Sequence, residues 1–275
     1  MEGPMTLELP IARIAAFVAD QGRLGNTASV VRLPHMLPDS VLQALARRNG
    51  DSETAYLVKI GDDRWQLRWF TPGVEVDLCG HATMASGQYL FDESLATGPI
   101  VFETMSGELT IDKYEDDRLA LDLPIDTPQP EEAPEGLLNA LGIDPSDVTS
   151  VHRSRDLIFT VADSRIIRDL SPDQRFLQSV PIRGIIVTAA GDGDVDFVSR
   201  WFGCDELDVF EDPVTGSAHA ALAPLWGQRL DKTRLEAQQW SPEGGAVTCI
   251  VADERVILLG RCHSWLRGTV YIDVD

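Results

Sequence analysis

An eight-residue segment that occurs twice constrains this chain more than any other feature. Glu75-Val76-Asp77-Leu78-Cys79-Gly80-His81-Ala82 lies in register with Glu211-Asp212-Pro213-Val214-Thr215-Gly216-Ser217-Ala218, 136 residues later. Each copy sets an acid four residues before a Cys or Thr, followed by Gly, a polar residue and an Ala-rich stretch. In a chain of 275 residues, that spacing fits two halves of one duplicated architecture.

The flanking patterns agree with two similar halves. His81–Phe91, rich in Ala and Met, reads as a mostly buried helix, and Gly216–Trp226 mirrors it. Thr54–Ile60 and Trp65–Phe70 have strand composition, as do Thr149–Val161 and Ile182–Thr188. Pro38–Arg48 has helical spacing, with Asp39 or Ser40 as its N-cap. Arg255–Gly260 and Gly268–Val274 read as separate closing strands. The Pro- and Glu-rich stretch Pro124–Pro134 is the best boundary. It divides the chain into an N-terminal lobe, 1–123, completed by a strand at 264–275, and a C-terminal lobe, 124–263.

Composition narrows the function. Asp and Glu number 44 against 23 Lys and Arg, a formal charge of −21, which repels phosphate backbones and anionic lipid. Neither nucleic acid nor a membrane is an expected partner. The four cysteines (Cys79, Cys204, Cys249, Cys262) are too scattered for a disulfide framework and form no CxxC pair. With no signal-like N-terminus and no apolar run of membrane-spanning length, the expectation is a cytoplasmic protein with reduced thiols. No P-loop or Gly-rich dinucleotide loop occurs, so neither cofactor nor metal is expected.

Both repeats place a Gly beside a polar side chain at a helix start. Free N–H groups there, reinforced by the helix dipole, bind a carboxylate or oxyanion. Taken singly, Gly80 or Gly216 only lets the chain turn tightly; taken as a pair, they suggest a site for a small anionic molecule. Glu53, in Ser52-Glu53-Thr54-Ala55-Tyr56, is either a solvated edge residue or a general acid/base. Asp212, held extended by Pro213, either orients a substrate amine or caps the following helix. His219 stands two residues after Ser217, which points the two side chains apart, and no G-x-S-x-G surrounds Ser217; hydrolase chemistry is disfavoured.

Gly25-Asn26-Thr27-Ala28, Ser52–Tyr56, Phe70-Thr71-Pro72, Glu75–Thr83 and Glu211–Ala218 occur in this order. Together they resemble the phenazine-biosynthesis isomerase family of the diaminopimelate-epimerase-like superfamily. The resemblance implies an α+β fold of two pseudo-symmetric lobes, each a β-barrel-like sheet around a central helix, with the active site between them. Members of that family work without cofactor or metal and are often homodimers, so a homodimer is an open option. By motif position Glu53 resembles the general acid/base, while His81, Asp212 and Ser217 resemble substrate-orienting residues. Gly80 and Gly216 supply backbone donors, and Cys79 and Thr215 stand beside them in the binding set.

One departure matters. Two-base racemases of the superfamily carry Cys at both equivalent positions, whereas this chain has Cys79 and Thr215. A Thr hydroxyl is too weakly acidic to stand in for a thiolate. The expectation is therefore a cofactor-independent isomerase of a small carboxylate-bearing molecule that shifts a proton through Glu53. The alternatives are a catalytically silent binding module and a two-base racemase or epimerase.

Overall fold

A computed structural model of the chain describes residues 5–19, 24–204 and 209–274. The first elements are β1 (Met5–Val18), β2 (Asn26–Leu33), α1 (Asp39–Asn49), β3 (Glu53–Gly61), β4 (Arg64–Phe70), β5 (Glu75–Val76) and α2 (Gly80–Asp92). β6 (Ile100–Thr104), β7 (Gly107–Tyr114), β8 (Arg118–Pro124), β9 (Gln129–Pro130), α3 (Leu137–Leu141), β10 (Val148–Arg153) and β11 (Leu157–Val161) follow. The rest are α4 (Ser164–Asp169), α5 (Gln174–Leu177), β12 (Gly184–Ala190), β13 (Phe197–Gly203), β14 (Glu211–Asp212), α6 (Gly216–Leu230), β15 (Arg234–Gln239), β16 (Gly245–Ala252) and β17 (Arg255–Val274). The composition is α+β with strand dominant.

The chain divides into two compact units. The first comprises Met1–Ala16, Thr27–Leu121 and Arg261–Asp275, and the second comprises Phe17–Asn26 and Asp122–Gly260. A boundary drawn only at Pro124–Pro134 leaves Phe17–Asn26 in the N-terminal half, but local bonding puts this segment in the second unit. The Leu24 and Gly25 N–H groups donate to the Glu243 and Gly244 carbonyls at 3.1 and 3.0 Å. The Phe17 carbonyl lies so close to Gly245 that a Cβ there would meet it at 2.5 Å.

In the first unit β2 runs parallel to β3, with Ala28 opposite Glu53. β3 is antiparallel to β4, Thr54 facing Phe70. β4 is antiparallel to β5, where Phe70 faces Glu75, and parallel to β6, which is antiparallel to β7. α2 packs on β3 and β7. It is buried on nearly every side, which its small residues permit; a Cβ on Gly87 would come within 2.6 Å of the Ile111 side chain.

The second unit repeats that order. β11 is parallel to β12, and β12 is antiparallel to β13, with Ile185 facing Phe202. β13 is antiparallel to β14, where Phe202 faces Glu211, and parallel to β15, which is antiparallel to β16. α6 packs on β15 and β16. Strands β11 and β13 are buried at every residue, so neither alternates buried with exposed positions, and the buried Ser199 and Arg200 of β13 sit among apolar neighbours.

Matching the two pairing patterns puts Glu75 with Glu211, Cys79 with Thr215 and His81 with Ser217, in the register of the sequence repeat. It extends the repeat upstream to an identical tripeptide, Arg68-Trp69-Phe70 and Arg200-Trp201-Phe202. In both units the arginine forks onto the glutamate of the short strand. Arg68 to Glu75 measures 2.6 Å at both contacts, and Arg200 to Glu211 measures 2.6 and 2.8 Å. Each guanidinium also stacks on the phenylalanine two residues on. In the same register Glu53 corresponds to Gly184, and Ala28 to Asp156.

Three local expectations change. Thr149–Val161 is two antiparallel strands, because the chain turns at Ser154, whose N–H donates to the Asp156 carbonyl at 2.9 Å. α1 has Pro38 as its N-cap residue, with no side-chain capping bond, and Asp39 lies in the first turn. The two expected closing strands are one, Arg255–Val274. Among the described residues no helix is long and apolar enough to cross a membrane.

Candidate active site

The expected site residues fall into two sets, one in each unit. In the first unit the structure joins Glu53, His81 and Cys79 into a chain. His81 Nε2 lies 3.1 Å from Glu53 Oε2, and His81 Nδ1 lies 3.5 Å from Cys79 Sγ. Their placement is local: Glu53 opens β3, Cys79 is the extended residue preceding α2, and His81 is the second residue of that helix. Two residues before Glu53, buried Asp51 is held by Arg13 Nε at 2.9 Å and the Ser29 hydroxyl at 2.6 Å, which anchors the strand end.

Burial pushes the Cys79 thiol up to about 11, and the Glu53 carboxylate adds to the shift, so the sulfur is a protonated thiol at neutral pH. Burial works to lower the His81 pKa, but Cys79 and Glu53 outweigh it and hold the imidazole well above 6.5. The charged imidazole and the Glu53 carboxylate then form an ion pair through Nε2 and Oε2. The ion pair engages Oε2 rather than Oε1. The Glu53 side chain is 15% exposed against 3% for His81.

Glu53, Cys79 and His81 also place one ligand atom each within 4.8 Å of one another. The imidazole spans the set, with one nitrogen toward sulfur and the other toward the carboxylate. A single ion could use only one of these nitrogens. The arrangement suits proton transfer along a line better than it suits a metal.

In the second unit Asp212 is the centre of a closed network. One carboxylate oxygen accepts from Thr215 Oγ1 at 2.5 Å and the other from Asn26 Nδ2 at 2.7 Å. Gln239 bridges back, accepting from Thr215 N–H at 2.9 Å and donating to the Asp212 carbonyl at 2.7 Å. The hydroxyl of Thr215 therefore gives its only proton to Asp212. Ser217 stands apart from this network; its Oγ accepts from Arg183 Nη2 at 3.1 Å, and Arg183 in turn forks onto Asp156 at 2.8 and 2.5 Å.

The two helix starts are alike in their first turns. Neither α2 nor α6 has a side-chain capping bond or an acid in its first turn. Their N-terminal dipoles at Gly80-His81 and Gly216-Ser217 are not neutralised locally.

Sequence reasoning did not find Asn26, Gln239, Asp156 or Arg183 as members of these sets. Asn26 lies in a motif it noted but to which it gave no role. The other three are isolated polar residues joined only by long-range pairing, and no local pattern marks them.

By fold the chain is an epimerase-like α+β protein. A hydroxyproline epimerase from Agrobacterium vitis with bound trans-4-hydroxy-L-proline has a TM-score of 0.60 and 13% identity over 97% of this chain and 93% of that one, a likeness of fold alone. Within that class the chain belongs to the phenazine biosynthesis-like protein family, whose model matches residues 14–255. It is 45% identical to an uncharacterised isomerase of Pseudomonas aeruginosa, over 97% of this chain and 100% of that protein. A phenazine biosynthesis protein of the PhzF family from Enterococcus faecalis has a TM-score of 0.87 and 40% identity, covering 97% of this chain and 100% of that one. These likenesses support an isomerase at the level of the family.

Proposed function

We propose that the chain isomerises a small carboxylate-bearing molecule by a proton shift and needs no bound cofactor. Glu53 as carboxylate takes a proton from an activated carbon through Oε1. The C–H electron pair moves into the conjugated system, and Glu53, now a carboxylic acid, returns the proton to another atom of that system. His81 holds Oε2 and keeps the carboxylate oriented. The helix starts at Gly80-His81 and Gly216-Ser217 bind the anionic group and stabilise developing charge, with Asp212 orienting the substrate. A barrel-like sheet around each central helix, repeated pseudo-symmetrically, is the architecture that goes with this reading. The working form is expected in the cytoplasm, and a homodimer is its proposed assembly.

The observation that carries the proposal is the Glu53–His81–Cys79 chain set against the Thr215–Asp212 bond. A two-base racemase requires a second thiol where Thr215 already gives its proton to Asp212. A silent binding module has no use for a carboxylate oriented by a buried imidazole.

The test is solvent deuterium incorporation, followed by mass spectrometry on a panel of small unsaturated amino and hydroxy acids. The wild type should exchange at least one member, and Glu53→Gln should lower that rate by roughly 10²–10⁴-fold. Exchange at an equal rate in Glu53→Gln would overturn the mechanism.

A further inference from the structure

We propose that Arg183 is a positioning residue that fixes the Ser217 hydroxyl as a hydrogen-bond donor and makes this helix start select an anionic oxygen over a neutral one. The inference rests on the assignment of Ser217 to substrate binding.

The guanidinium is held from below. Asp156, 1% exposed, accepts Arg183 Nε on Oδ1 at 2.8 Å and Nη2 on Oδ2 at 2.5 Å. The same Oδ2 accepts Trp201 Nε1 at 2.9 Å, and the guanidinium carbon lies 5.6 Å from the Trp201 ring centroid. Trp201 itself cannot shift toward the strand, because its ring already fills the space where a Cβ on Gly184 would stand, 2.3 Å away. A planar fork on a buried carboxylate leaves the guanidinium little freedom.

From that fixed position Nη2 donates to Ser217 Oγ at 3.1 Å. A hydroxyl has one proton and accepts through its lone pairs. With a lone pair engaged by a cation, the proton turns away from Arg183 and is offered to an acceptor. The cation and the N-terminal end of α6 then favour an acceptor bearing negative charge, which a carboxylate supplies and a carboxamide does not.

The first unit shows that the fold does not require this cluster. Ala28 replaces Asp156 there, Ser52 replaces Arg183, and the matching indole N–H of Trp69 is buried with no acceptor among the described residues. The frame tolerates an unsatisfied tryptophan at this position. The Asp156–Arg183 pair therefore does more than satisfy Trp201, and the reach of Arg183 to Ser217 is what it adds.

The experiment titrates the full chain with benzoate and with benzamide, which share a shape and differ in charge. Wild type should prefer benzoate by about 10-fold, the worth of one charge-assisted bond. Arg183→Met and Ser217→Ala should each erase most of that preference, and the double variant should lose no more than either alone. Asp156→Asn/Arg183→Met removes both charges, leaves no buried ion, and should give the same loss if Arg183→Met does not fold. For any acid the wild type isomerises, these changes should raise KM more than they lower kcat. Absence of a wild-type preference, an unchanged preference in Arg183→Met, or losses that add in the double variant would overturn the proposal. Glu53→Gln should keep the benzoate preference, so this inference and the proposed reaction fail separately.

Discussion

The first turns of α2 and α6 occupy the same place in two copies of one strand order, and they hold their polar groups in opposite ways. At α2 the residue preceding the helix is Cys79, a thiol that meets an imidazole, and the imidazole reaches a carboxylate on the neighbouring strand. At α6 it is Thr215, whose hydroxyl is taken by Asp212 and Gln239. Even the next polar side chains correspond: Thr83 bonds to the Cys79 carbonyl at 2.5 Å, and His219 Nδ1 bonds to the Thr215 carbonyl at 2.8 Å. The backbone pairing is common, so the difference comes from side chains alone. One copy aligns groups that can pass a proton, and the other locks groups in place.

The largest structural effect should come from the Asp156–Arg183 pair beside the start of α6. Asp156→Ala leaves the Arg183 guanidinium without its buried partner and should cost about 3–5 kcal/mol, read as a shift in denaturant midpoint. A cost under about 1 kcal/mol would show that the Asp156–Arg183 fork contributes no more than an exposed ion pair.

Acid should affect the two copies with opposite sign. Burial lowers the His219 pKa to about 4, so this residue is neutral in the fold. Its contribution is complete above pH 6.5 and is lost as pH falls toward 4, on the order of 3 kcal/mol in all. The raised His81 works the other way: its contribution is complete below pH 6.5 and fades as pH rises through the folded value. His219→Leu should flatten the acid limb of a stability–pH curve and leave the alkaline limb alone. An acid limb unchanged in that variant would remove His219 from the account.

Gly184 stands where the other copy has Glu53, and the Trp201 ring fills the space a Cβ would take. Gly184→Ala should therefore cost about 1–3 kcal/mol and disturb the Trp201–Asp156 bond, which tryptophan fluorescence would report. A neutral substitution would show that the ring has room to move. The smallest effect expected is none: a chelator should leave turnover unchanged, and loss of activity restored by one divalent metal would contradict the proton-line reading of Glu53, His81 and Cys79.

Much of this organisation was legible locally. The repeat, both buried helices and the register of Cys79 with Thr215 follow from residue order, because a helix start with Gly and small residues is a short-range pattern. The residues alone left Glu53 open between a solvated edge residue, the commoner case, and a general acid/base, and the resemblance to a family motif favoured the second. The short helices Ser164–Asp169 and Gln174–Leu177 escaped because each is too brief for a helical period, although Asp163 and Asp173 cap them. Asp156, Arg183 and Gln239 escaped for a different reason. Their partners lie 45, 34 and 24 residues away in sequence, at Trp201, Ser217 and Thr215, and only strand pairing brings them together.

The central claim is that protons move through Glu53 and not through a pair of thiols. It is tested most directly by ranking Glu53→Gln against Cys79→Ala in one solvent-deuterium assay on the same substrate. The account predicts a loss of roughly 10²–10⁴-fold in Glu53→Gln and a loss within about 10-fold in Cys79→Ala, where only the contact to His81 Nδ1 is removed. The reverse order, with Cys79→Ala the severe lesion and Glu53→Gln the mild one, would contradict it.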